Sequence, residues 1–120
     1  MEITFYNKKG QPEIYLSDEE ENTFYTWDGH AVAYLYDDKI YGWKGKHIGW
    51  YDEGVIYDLH GYKVGSIQEK CLCITHVEKL KFVKYTKYNR FCRRVPQSKP
   101  IFSLSYSDMS LIDFITQNRI

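Results

Sequence analysis

Apolar and polar positions alternate in short runs along the first half of the chain, and the runs recur. Residues 3–16 read ITFYNKKGQPEIYL, 22–35 NTFYTWDGHAVAYL, 38–51 DKIYGWKGKHIGWY and 54–67 GVIYDLHGYKVGSI. Each block places a bulky apolar residue (Phe5, Phe24, Ile40, Ile56) directly before a tyrosine (Tyr6, Tyr25, Tyr41, Tyr57). A glycine follows four positions later (Gly10, Gly29, Gly45, Gly61). Both the tyrosines and the glycines step by 19, 16 and 16 residues, and the three extra residues of the first step fall in the acidic run 17–21.

Two-residue alternation of β-branched and aromatic side chains on either side of a four-residue polar stretch predicts a β-hairpin. Turns are expected at 7–10, 26–29, 42–45 and 58–61, with positive φ at most of the four closing glycines, as a type I turn followed by a left-handed residue requires. No helix is expected within 22–67. A lone hairpin cannot bury both faces, so repeated hairpins must pack on one another. The predicted fold is therefore all-β, with four repeated hairpins arranged radially in pseudo-fourfold symmetry and a C-terminal arm that carries a short helix. Residues 1–67 form the four-hairpin repeat domain and 68–120 a basic extension packed on it as one structural unit.

The hairpin pattern, and above all WDGHAVAYL, IYGWKGKHIGWY and GVIYDLHGYKVG, resembles the bacterial 4-fold beta flower domain family. The stretch VPQSKPIFSLSYSDMSLIDFI (95–115) is similar to that family's ending. The basic, cysteine-containing middle departs from the family's usual linker. The resemblance implies a fold and carries over no catalytic residue.

The second half differs in charge. Residues 1–67 hold twelve acidic and six basic residues, net −6, whereas 68–120 hold four and ten, net +6, within a neutral chain of 120 residues. The excess lies mostly in 79–94, where lysines and arginines interleave with Phe82, Tyr85, Tyr88 and Phe91. Strands are expected at 71–75 and 80–85, with a helix over 78–91 as the alternative. The segment 95–100 is irregular because its two prolines remove donors. A short amphipathic helix over 108–116, capped by Ser107 or Ser110, should bury Leu111, Phe114 and Ile115.

Candidate chemistry is sparse. Cys71, Cys73, His76 and Cys92 match no common zinc spacing, and an odd count of three cysteines fits reduced thiols in a cytoplasmic protein. No apolar run is long enough to span a bilayer and no signal peptide is recognisable, so no membrane partner is expected. His30, His47 and His60 sit at different offsets from their glycines and do not form a ring. Asp37, Asp38, Asp52, Glu53 and Asp58 read as turn acids, and no catalytic residue, metal ligand or cofactor is assigned. Binding candidates are aromatic: the tyrosine ring Tyr6, Tyr25, Tyr41 and Tyr57, the turn tryptophans Trp27 and Trp43, and Tyr85 and Tyr88 of the basic stretch. The function expected is a non-catalytic interaction or scaffold module for a protein, a peptide, a glycan or a second copy of the chain. Alternatives are nucleic-acid binding through 79–94, disfavoured by the acidic half that can neutralise it, and a small enzyme.

Overall fold

The asparagine and aspartate that open two of the turns show how the hairpins close. In the computed structural model, which describes residues 1–19 and 21–120, Asn7 Oδ1 accepts from the N–H groups of Lys9 and Gln11, and Asp58 Oδ1 from those of His60 and Tyr62. Glu20, part of the acidic insertion, lies outside the described residues. All four repeat glycines donate to the first residue of their turn and hold φ between 80° and 93°.

The arms are β1 (Glu2–Tyr6) with β2 (Pro12–Ser17), β3 (Thr23–Thr26) with β4 (Ala31–Tyr36), β5 (Lys39–Gly42) with β6 (His47–Asp52), and β7 (Val55–Asp58) with β8 (Lys63–Ser66). Successive hairpins pair with one another, and Tyr6 opposite Ser66 closes β8 onto β1, so the eight strands form a closed antiparallel barrel. Each hairpin breaks register at the same place, between its apolar residue and its tyrosine. One residue of the second arm is left unpaired there: Glu13, Val32, Ile48 or Val64. Such bulges increase local twist and help a sheet curve into closure.

Phe5, Phe24, Ile40 and Ile56 are fully buried inside, joined by Ile14, Val32, Ile48 and Val64. The barrel does not fill itself. A single helical turn and a half, α1 (Leu111–Thr116), supplies Leu111, Phe114 and Ile115 to the same core. The sequence makes room for it: a Cβ on Gly49 would strike the Phe114 ring, and one on Gly65 would stand 2.9 Å from Leu111 Cδ1. Ser110 caps α1, its Oγ accepting from Asp113 N at 3.2 Å.

Between these elements the arm departs from expectation. After a 3-10 turn at Gln68–Lys70, residues 71–107 contain neither the strands predicted at 71–75 and 80–85 nor a helix over 78–91. The chain runs extended, and its regular pairing is limited to an isolated bridge between Lys63 and Tyr106. Closure of the barrel leaves no free sheet edge for a ninth strand to extend. The arm crosses the hairpin turns instead.

Candidate functional site

The outer barrel surface carries an aromatic pair at three of the four seams between hairpins. Tyr15 stands opposite Tyr25 across β2 and β3, Tyr34 opposite Tyr41 across β4 and β5, and Trp50 opposite Tyr57 across β6 and β7. The first two pairs stack with centroids 5.4 and 5.5 Å apart. Each pair joins the residue five positions after one glycine to the tyrosine of the next repeat. The tyrosine ring expected from sequence is thus split among three aromatic seams and a fourth, where Tyr6 meets Ser66.

The arm lies over these seams and carries a repeat of its own, with a step of nine. His76, Tyr85, Arg94 and Ser103 donate their backbone N–H to the carbonyls of Gly10, Gly29, Gly45 and Gly61 at 2.8–3.0 Å. Phe82 and Phe91 donate to the Trp27 and Trp43 carbonyls, and the indole N–H groups of Trp27 and Trp43 donate back to the carbonyls of Lys79 and Tyr88. At each turn an arm carbonyl, from Ile74, Val83, Cys92 or Ile101, presses on the glycine Cα; a Cβ at Gly61 would sit 2.6 Å from the Ile101 oxygen, and closer at the other three. The glycines therefore serve twice, in the left-handed turn and as the seat of the arm.

Cations of the arm recur with the same step. Lys81 Nζ lies 4.5 Å from the Tyr15 centroid, Arg90 Cζ 4.0 Å from Tyr34 and Lys99 Nζ 5.8 Å from Trp50. Three residues on, Lys84 covers Tyr25, Arg93 covers Tyr36 and Phe102 stacks on Tyr57 at 4.0 Å. Carboxylates of the acidic half complete the pairing: Lys81 and Lys84 reach Glu2, Lys84 also Glu19, Arg90 Glu21 and Lys99 Asp38. The Lys81 hydrogen bond holds the Glu2 carboxyl below its usual range. Burial alone would lower the Lys84 ammonium, but its hydrogen bonds to Glu2 and Glu19 carry it above the ordinary lysine value.

Tyr6, Tyr25, Tyr41, Tyr57 and Trp43 are buried, and Trp27 is half-buried against the arm. Tyr85 remains more than half exposed with one face stacked on His30 at 4.3 Å, and Tyr88 is largely exposed. Cys71 and Cys73 lie at the first turn, near the Asn7 and Lys8 carbonyls, while Cys92 lies at the third. Among the described residues no group of three or more His, Cys, Asp or Glu side chains could hold a metal ion. His47 is a different case. It is buried, its Nε2 bonds the Gly49 carbonyl at 2.8 Å, and its Nδ1 accepts from the arm's Gln97 N–H at 2.9 Å. Burial pushes its pKa down, with Lys39 adding to the effect.

Residues 3–115 match the family described as 4-fold beta flower protein. The chain belongs to that family. The match to the beta flower family runs from the first hairpin to α1 and spans the arm between them. No curated protein and no solved structure matches the chain. No helix of the described residues in this beta flower is long and apolar enough to cross a membrane.

The nine-residue step was the part of the site that sequence reasoning missed. Its signal was present in Lys81, Arg90 and Lys99, in Phe82 and Phe91, and in Ile74, Val83 and Ile101. A shorter spacing hid it, because Phe82, Tyr85, Tyr88 and Phe91 recur every three residues.

Proposed function

We propose that the chain is a non-catalytic interaction module whose four hairpins form a pseudo-fourfold barrel, and that it meets a protein partner through the outer face of its arm. The observation that carries this reading is the exposure of Ile74, Val83 and Ile101. They stand nine and eighteen residues apart and are 89–94% exposed. Val77, Val95 and Leu104 follow the same step at 85–91%. Surface aliphatics are ordinary singly; their recurrence at a fixed step along one extended segment is what supports a contact surface here. The arm's inner face is occupied by cation–π contacts and ion pairs with the barrel, so its outer face is the one left to a partner. Three free cysteines suit a reducing, cytoplasmic setting.

Nucleic-acid binding is the weaker reading. Lys81, Lys84, Arg90, Arg93 and Lys99 are engaged with carboxylates or rings of the same chain. Mixed single-stranded and duplex oligonucleotides titrated at low salt are expected to give no binding; sub-micromolar, salt-sensitive binding would reverse the ranking.

The interaction reading is tested with a photo-crosslinking residue at position 83 in the native host cell. A discrete protein adduct is expected, and it should disappear when Ile74 and Ile101 are both changed to serine. No adduct, an adduct to nucleic acid, or a protein adduct indifferent to the two serines overturns the proposal.

A further inference from the structure

The four hairpin bulges are equivalent in place but not in chemistry. Their unpaired residues are Val32, Ile48 and Val64, all buried in the barrel core, and Glu13. A carboxylate thus stands where three repeats put an aliphatic side chain. Removing a charge from water without pairing it is unfavourable, so a carboxylate that persists there needs a donor. Glu13 Oε1 is buried and has no hydrogen-bond partner among the described residues. Burial raises the Glu13 pKa, hydrogen bonding to the carboxyl from the Asn7 side chain and the Ile112 backbone partly offsets that, and Asp113 adds to the rise.

Glu13 opens on a cleft of about 780 Å³ between the first and second hairpin turns. Helix α1 forms part of its wall through Ile112 and Thr116, and the arm another part through Val77 and Phe82. Trp27 stands beside it, its indole N–H fixed to the Lys79 carbonyl. The volume falls in the range of small-molecule sites, which pair a mostly apolar wall with a few fixed polar groups. Lys79 and Arg119 also line the cleft, and neither side chain makes an ion pair among the described residues. Glu13 therefore lacks an internal counter-ion although cations stand within the same cleft.

We propose that this cleft binds a small organic ammonium ion with an apolar body, its N–H groups on Glu13 and its body against Trp27 and Phe82. A carboxylate supplies the charged acceptor that an ammonium group requires, and aromatic faces favour a cation and its hydrocarbon together. Lys79 and Arg119 select against a second positive charge on the ligand. This proposal does not need a protein partner on the arm's outer face, although Val77 borders both that face and the cleft.

Phenethylamine and 3-phenylpropionate share a ring and a two-carbon spacer and differ in charge, so they separate the proposal from simple apolar binding. Each is titrated into the full chain while the Trp27 indole N–H resonance is followed by NMR. Phenethylamine should shift that resonance saturably and 3-phenylpropionate should not. Glu13→Val installs the side chain type of the other three bulges and is expected to fold; it should weaken phenethylamine at least about tenfold, as loss of a charge-assisted hydrogen bond implies. Glu13→Gln keeps the shape and should weaken it likewise, which preserves the test if the valine variant does not fold. Absence of saturable phenethylamine binding to the natural chain, equal binding of the acid, or affinity unchanged in the glutamine variant would each overturn the proposal.

Discussion

At the residue scale, the glycines at the turn tips separate two costs that usually come together. Gly45 and Gly54 both hold positive φ, 90° and 85°. At Gly54 a Cβ would meet the flexible end of the Ile67 side chain, whereas at Gly45 it would meet the Cys92 backbone carbonyl. Gly54→Ala is expected to cost about 1–2 kcal/mol for the left-handed backbone. Gly45→Ala should cost more, because it also unseats the arm. Urea denaturation of the two variants reads the difference, and equal losses would mean that the arm contributes nothing at that turn.

His47 gives a second prediction at this scale. Both ring nitrogens are engaged only when the ring is neutral, since protonated Nδ1 could not accept from Gln97 N–H. Its pKa is lowered in the folded state, so the unfolded chain takes up the proton first as pH falls. Its contribution is fully present above the unfolded value, about 6.5, and is lost as pH falls toward the folded value. Thermal stability should decline as pH falls below about 6.5, ahead of the range where Glu2 and Asp38 are protonated. In His47→Gln that decline should be shallower.

At the element scale, α1 is short yet central. Six residues cannot hold a helix in isolation, so its stability comes from the barrel interior it enters. Phe114 is fully buried and lies over Gly49. Phe114→Ala is expected to cost about 3–5 kcal/mol by denaturant unfolding; a loss near zero would mean that the barrel core closes without the helix.

The hairpins and α1 were legible in the sequence because local chemistry writes them there. Asn7 and Asp58 form their turns with their own neighbours, the glycines supply the positive φ, and Ser110 caps α1 directly ahead of its apolar residues. The arm was not legible because the bonds that seat it on the turns join backbone atoms 42 to 66 residues apart. The Gly29 carbonyl that receives Tyr85 N–H leaves no imprint on the identity of Tyr85. Alternation of Leu80 to Tyr85 therefore looked like a strand, although no sheet edge was free to take it. Glu13 was visible as a residue, but its place among the aliphatic bulge positions depends on a register break that only the folded sheet reveals.

At the scale of the whole molecule, the opposed charges of the two halves find each other. The arm carries its cations to the seams of the barrel, where rings receive them and acidic side chains partly neutralise them, and it turns its aliphatic residues outward. Closure of the barrel by β1 and β8 rests on a short pairing, Tyr6 with Ser66, and the helix and arm that follow bind the same body from inside and outside. Residues 71–107 dock in nine-residue steps, one on each hairpin turn. Native-state amide hydrogen exchange tests this docking most directly, because an extended segment without a ladder would otherwise exchange freely along its length. Slowed exchange is expected at His76, Tyr85, Arg94 and Ser103, every ninth amide, and at Phe82 and Phe91, against fast exchange at the exposed amides between them. Uniformly fast exchange from 71 to 107 would contradict the docking.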